Sequence, residues 1–371
     1  MIEGLQNRTA SMCQSGGVEH HLREASVSEV IIIGLDIAKN VFQVHGANAA
    51  GLPLLRRKLR RADVLEFFQN LPRCLVGIEA CGTAHHWARE ITALGHELKL
   101  LPPSYVKPYV KRGKTDAADA EAICEAVTRP GMRFVPVKTV ARQSVLMLHR
   151  TRDLLVRQRT MLINAIRAHM AELGHVMAQG KSGIGDLMAM ILGEDAARLP
   201  DIARDALKAL ACSLEELGRR VKEVETSIVA WHRNDETSRR LATIPGVGPI
   251  TASAIVAEVT DQGQFRSARH FAAWIGLTPK QNSSGGKERH GGISKQGNRN
   301  LRRLLVVGAT GLVWKARRVD KEGTTWLGGL LKRKPARVAS IAQANKTARI
   351  IWALLTRGGT FRSGGLMEIA A

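Results

Sequence analysis

Ile31-Ile32-Ile33-Gly34-Leu35-Asp36 and Leu75-Val76-Gly77-Ile78-Glu79 decide how this chain is read. Each is a short unbroken apolar run that ends on a carboxylate. Runs of this length without polar alternation fit strands buried on both faces. An acid at the end of such a strand is costly unless something pairs with it. A third stretch, Lys114-Thr115-Asp116-Ala117-Ala118-Asp119-Ala120, places two more carboxylates three residues apart. On a helix that spacing puts both on one face, and Thr115 is the expected N-cap. Four acids that converge predict a divalent metal site, with two ions as the working expectation. Mg²⁺ fits hard oxygen donors, and Mn²⁺ is the substitute to expect. Paired metals are a common way to break and join phosphodiesters.

Working outward, Val30–Asp36, Val41–His45 and Leu52–Leu59 read as three strands. A helix over Ala62–Leu71, a strand over Cys74–Glu79, a helix over His85–Leu94 and a strand over Glu97–Leu101 follow. Three strands and then alternating helix and strand is the order of the ribonuclease H-like α/β fold. Residues 1–28 are polar and read as a disordered lead-in ahead of an N-terminal domain over 29–138. From 139 to 238 the pattern is helical. Leu214, Leu217, Val221, Val224, Ile228 and Trp231 repeat at threes and fours, as do Ile163, Ile166, Met170 and Leu173. We expect two long helices packed on each other or on another subunit, forming a coiled-coil arm. The alternative reading is an ordinary helical bundle.

The last block, 239–371, is mostly helical and strongly basic. It holds 23 Lys and Arg against 6 Asp and Glu, in a chain whose formal net charge is +22. A polyanionic partner is expected, with nucleic acid first. Aromatics make up only 4% of the chain, which argues against base reading by many stacking platforms. Ile244-Pro245-Gly246-Val247-Gly248-Pro249 resembles the turn of a helix-hairpin-helix, in which Gly246 and Gly248 bring backbone N–H groups to a phosphate. Thr278-Pro279-Lys280-Gln281-Asn282-Ser283-Ser284-Gly285-Gly286-Lys287 reads by itself as a flexible basic loop. Lys287 and Arg289 are suited to neutralising charge on a phosphate, and Lys114 is either a phosphate ligand or surface charge. The five cysteines form no C-x-x-C pair, so neither zinc nor a disulfide framework is expected. No signal-peptide core opens the chain, and Leu304–Trp314 is too short to span a bilayer. A cytoplasmic protein is the expectation.

The three acidic motifs in this order, together with Phe271-Ala272-Ala273-Trp274-Ile275-Gly276-Leu277-Thr278-Pro279 and Ile293-Ser294-Lys295-Gln296-Gly297-Asn298, resemble the DEDD transposases of insertion sequences. These are relatives of the Piv DNA invertase, and the nearest pattern is the bridge-RNA-guided recombinases of the insertion-sequence 110 family. The resemblance spans about Val30 to Phe361. It implies a RuvC-like domain whose metal ligands are Asp36, Glu79, Asp116 and Asp119, followed by a helical transposase domain. It also implies a nucleophilic serine at Ser284, with Ser283 one residue away and Ser294 a poorer match. Lys295 and Arg299 fall among the expected nucleic-acid contacts. The implied partners are donor DNA, target DNA, a noncoding bridge RNA and further copies of the chain in a dimer or tetramer. The implied chemistry is a phosphoserine–DNA intermediate, with the serine reaching acids of another subunit. A Holliday-junction endonuclease, sharing the acids but using water as nucleophile, is the alternative. A non-catalytic nucleic-acid-binding protein would be expected to lack one of the four acids.

Overall fold

The computed structural model describes residues 29–362, apart from 112, 114, 179, 284 and 288 and the side chains of Lys181 and His290. The lead-in over 1–28, Lys114 and Ser284 therefore lie outside the described residues. The chain divides into two compact units, 1–137 and 138–371.

The first unit is a five-stranded sheet with helices on both faces. Its strands are β1 (Ile32–Asp36), β2 (Val41–Ala47), β3 (Pro53–Arg60), β4 (Leu75–Glu79) and β5 (Glu97–Leu101), in spatial order β3-β2-β1-β4-β5. β2 runs antiparallel to both β1 and β3, whereas β1–β4 and β4–β5 are parallel. This mixed order is that of the ribonuclease H-like arrangement. The helices are α1 (Val64–Gln69), α2 (Ala84–Ala93), the short α3 (Pro103–Val106) and α4 (Asp116–Val127).

Alternation along each strand sorts its residues between two cores. Ile33, Leu35, Val76 and Ile78 are fully buried and pack with Phe42, Val64, Phe68, Trp87 and Ile91 on the α1/α2 side. Ile32 packs with Ala122, Ile123, Cys124 and Val127 on the α4 side. Because side chains two apart share a face, Gly34 and Asp36 lie on the α4 side with Ile32, and Gly77 and Glu79 do the same on β4.

The second unit is helical. Its two long helices, α5 (Val140–Glu172) and α7 (Asp201–Asn234), pack on each other, with α6 (Lys181–Leu192) between them in sequence. Ile166 and Met170 of α5 are buried against Leu187 and Ile191 of α6 and Leu207, Ala211 and Leu214 of α7. Arg152 on α5 pairs with Glu225 on α7 at 2.6 Å. The heptad positions Leu214, Val221 and Ile228 are buried within a single chain. Of the two partners expected for this seam, the chain's own helices cover Leu214, Val221 and Ile228, while Leu217, Val224 and Trp231 stay half-exposed.

Beyond α7 come α8 (Glu236–Leu241), α9 (Pro249–Glu258) and α10 (Ala268–Trp274). A hairpin of β6 (Pro279–Gln281) and β7 (His290–Ile293) follows, then α11 (Arg299–Val319), α12 (Trp326–Leu331) and α13 (Ala336–Arg357). One core joins α9, α10, α11 and α13 through Ile255, Phe271, Leu305, Ala348 and Ile351. Among the described residues, no helix is long and apolar enough to cross a membrane.

Candidate active site

The acids are positioned by backbone register and by two glycines. β1 and β4 pair with Gly34 opposite Gly77 and Leu35 opposite Ile78, so Asp36 and Glu79 come next on adjacent strands and on the same face. A Cβ on Gly34 would lie 2.1 Å from the Ala120 carbonyl oxygen and 2.5 Å from the Cys124 nitrogen. A Cβ on Gly77 would lie 2.9 Å from Cβ of Val127. The missing side chains let α4 lie directly on the sheet, with small residues Ala120 and Cys124 facing it. That close approach brings the first turn of α4 to the ends of β1 and β4. Thr115 fixes the start of the helix: its Oγ1 accepts from the Ala118 N–H at 3.2 Å.

Asp36, Asp116 and Asp119 each present a ligand oxygen, and these lie within 4.8 Å of one another. Asp116 is exposed, and Asp36 and Asp119 are half-buried. Burial, followed by the nearby charges of Asp119, Asp116 and Glu79, pushes the Asp36 carboxyl up to about 6. Burial and Asp119 likewise raise Glu79. Glu79 thus lies within electrostatic reach of Asp36 and Asp119, although it stands outside the tight group of three. Four carboxylates that repel each other in a partly buried site form an arrangement a hard cation would stabilise. The oxygen-only donor set suits Mg²⁺ or Mn²⁺, and no cysteine or histidine belongs to the group.

The other residues expected to function belong to the second unit. Gly246 sits at φ 81° in the turn between α8 and α9, and Val247 N–H donates to the Ile244 carbonyl at 2.9 Å. The turn packs on α11 so tightly that a Cβ on Gly308 would lie 1.9 Å from the Gly246 carbonyl oxygen. Gly248 is the N-cap position of α9. Ser283, Lys287 and Arg289 are exposed at the tip of the β6–β7 hairpin, where Asn282 N–H donates to the Arg289 carbonyl at 2.9 Å. Arg289 N–H also donates to the Ser283 hydroxyl at 3.4 Å. Ser294 stands just past β7 and donates its N–H to the Thr278 carbonyl, at the base of the hairpin and away from its tip. Lys295 has φ 57°, and Arg299 is the exposed first residue of α11. That helix is capped by Asn298, whose Oδ1 accepts from Asn300 and Leu301 N–H at 3.0 Å each. The same side chain donates to Glu258 of α9 at 2.8 Å. Gly34, Gly77 and Asn298 lie inside the quoted motifs, but their roles in packing and capping are not stated by those motifs. The glycines were visible in sequence, but their pairing depends on strand register.

Comparison with known proteins agrees with this geometry. A DEDD transposase model of the IS110 group matches residues 33–174, and the model described as transposase IS116/IS110/IS902 family matches residues 238–323. The chain is similar to a putative transposase of Sinorhizobium fredii, 47% identical over 363 residues, covering 97% of this chain and 93% of that protein. It is 41% identical over 342 residues to the transposase for insertion sequence element IS1111A of Coxiella burnetii, covering 92% and 94%. A shorter match, 36% over 70 residues, is to the pilin gene-inverting protein of Moraxella bovis and covers 19% of this chain and 22% of that protein. The chain therefore belongs to the IS110/IS116 family of DEDD transposases, enzymes that cleave and rejoin DNA.

Proposed function

We propose that the chain excises and inserts its own DNA element through a serine nucleophile, with target choice delegated to a bridge RNA. The observation that carries this reading is the meeting of Asp36, Asp116 and Asp119 within 4.8 Å, with Glu79 on the neighbouring strand. In this reading all four acids hold Mg²⁺, and residues 29–138 form the metal-bearing part. Residues 139–238 are the arm, and residues 239–371 supply the nucleophile and the nucleic-acid contacts.

The metal would supply Lewis-acid stabilisation of charge on the phosphoryl and leaving oxygens. The rest falls to the chain's own residues. Ser284 Oγ forms a bond to phosphorus as the bond from phosphorus to one deoxyribose oxygen breaks. The serine proton leaves to solvent, and the departing oxygen gains a proton. One phosphodiester is exchanged for a phosphoserine diester, so the bond energy is kept. The hydroxyl of a second strand can reverse the step and return the proton to Ser284 without ATP. Lys287 and Arg289, exposed on the β6–β7 hairpin, neutralise charge on the phosphate. The turn at Gly246 and Gly248, read as a helix-hairpin-helix, grips backbone without reading sequence, and Lys295 and Arg299 extend that contact.

In this reading the serine works with the acids of another subunit in a dimer or tetramer, in the bacterial cytoplasm at the nucleoid. RNA guidance fits a chain with +22 net charge and few aromatics, because base pairing then carries the specificity.

The test is a covalent-adduct assay with the element's own DNA ends and RNA, in Mg²⁺, on denaturing gels. We expect a protein–DNA adduct that disappears in Ser284→Ala and in EDTA. An adduct that persists in Ser284→Ala but is lost in Ser283→Ala would move the role by one residue. Cleavage without any adduct would make water the nucleophile and favour the junction-endonuclease reading.

A further inference from the structure

A groove of about 1570 Å³ runs along α13 in the second unit. Its floor is one helical face, on which Val338, Ile341, Asn345, Arg349 and Trp352 recur at threes and fours. Its walls come from the start of α10, from Trp326 of α12 and from the Pro279 and Gly291–Ile293 segments of the β6–β7 hairpin. The volume exceeds the roughly 300–1,000 Å³ of small-molecule pockets, so a polymer is the better occupant.

Six cations line it: Arg269, Arg337, Lys346, Arg349, Arg357 and Arg362. Among the described residues no acid lines the groove, and none of the six is in an ion pair. The buried Arg349 Nε and Trp352 Nε1 have no hydrogen-bond partner among the described residues. Both groups only donate, so what they lack is an acceptor. A phosphate-rich chain supplies acceptors and matches the charge.

The groove also offers aromatic surface. Trp326 is 49% exposed, with Lys346 Nζ 4.4 Å from the centre of its ring. Trp352 on the floor and Phe361 also line the groove. Aromatic faces beside cations hold unpaired bases, which a duplex would keep stacked internally. The hairpin that forms one wall belongs to a transposase unit, and transposases act on DNA.

We propose that the α13 groove holds a short single-stranded DNA segment, its phosphates on Arg337, Lys346 and Arg349 and a base stacked on Trp326. This rests on the DNA-acting part of the reading above and on none of its covalent chemistry. The strand would lie beside the β6–β7 hairpin, where a cleaved end must be held until it is rejoined.

The test is fluorescence anisotropy of the full chain with labelled oligothymidine, a duplex of equal length and oligouridine, across a salt series. The Arg337→Glu/Lys346→Glu double variant is expected to bind oligothymidine at least about tenfold more weakly. Two lost phosphate contacts, each worth ~0.7 in the slope of log K against log salt, should lower that slope by about 1.4. Trp326→Ala should cost about fivefold or more, the lower end of base–aromatic stacking. A matched pair of exposed cations on α11 outside the groove, Lys315→Glu/Arg318→Glu, should leave both quantities near wild type. Melting curves check that each variant folds, and if Trp326→Ala does not, Trp326→Leu replaces it. Equal losses in the α11 pair, unchanged binding in the groove variants, or tighter groove-dependent binding of duplex or oligouridine would each overturn the proposal. So would a change of molecular mass in the groove variants without a change in DNA affinity, since the groove would then be a contact between copies. The anisotropy measurement reads binding alone, with no cleavage step, so failure of the serine mechanism leaves this test intact.

Discussion

The two units hold their functional groups on different kinds of backbone. In the first, the acids stand at the ends of β1 and β4 and on the first turn of α4, where register and helix packing fix them. In the second, Gly246, Ser283, Lys287, Arg289 and Lys295 stand on a turn, a hairpin tip and a left-handed position. Carboxylates that repel one another separate unless rigid elements hold them, and regular structure built over a glycine pair does that. Cations that follow a polyanion gain from mutual repulsion being spread over a surface, and loops let them reach it. The first unit is therefore sensitive to small shape changes, and the second to charge and salt.

The largest expected effect tests the first half of that contrast. Asp36→Asn or Asp119→Asn should lower excision by three orders of magnitude or more, equivalent to about 4 kcal/mol of transition-state stabilisation. Binding of nucleic acid should survive, because the cations lie elsewhere. Excision can be read as a gel-resolved circular or rejoined product. Wild-type excision by either variant would sink the metal assignment.

Next comes the glycine support. Gly34→Val places a branched side chain where the Ala120 carbonyl already sits, so about 3 kcal/mol or more of stability should be lost. Hydrogen exchange should show the loss in residues 29–137 and leave α5, α7 and α11 protected. Gly82 is the control: it has open space around it and an ordinary φ, so Gly82→Ala should be close to neutral. Equal protection in Gly34→Val and wild type would mean that α4 can shift without cost, and the contrast drawn above would fail.

These effects also mark what could be read in the sequence. The strand ends were legible because apolar runs closing on Asp36 and Glu79 have few other uses. The α4 start was legible because Thr115 and its i+3 acids form a local pattern. The depth of the α4 contact was not, since Gly34 and Gly77 lie far apart in sequence and meet only through parallel pairing. The heptad at Leu214, Val221 and Ile228 showed that a helix had a partner, but periodicity carries no information about which chain supplies it. The α13 groove was hidden for another reason. Its face mixes Ile, Trp, Arg and Lys, which reads as a half-buried surface until α12 and the β6–β7 hairpin close over it.

The smallest effects concern acid, and here the two units should move in opposite directions. Asp36 is raised from its ordinary value near 3.8 to about 6. Between those values the folded first unit binds more protons than its unfolded chain, so without metal its stability rises as pH falls through about 6. Mg²⁺ should reverse the trend, stabilising most at high pH where the acids are ionised. His149 in the second unit is buried, with Nε2 3.1 Å from the Ser253 hydroxyl, and burial lowers it from 6.5 to about 4. Its unfolded form takes up a proton first, so its contribution is complete above about pH 6.5. That contribution is lost as pH falls toward 4, by at most about 3 kcal/mol. Hydrogen exchange in EDTA at pH 7.5 and pH 5 should show protection rising in β1 and β4 while it falls in α5 and α9. Asp36→Asn should flatten the first response and His149→Gln the second. If both units lost protection together on acidification, Asp36 would not be held among uncompensated negative charges, and the electrostatic reason for a cation at that site would be gone.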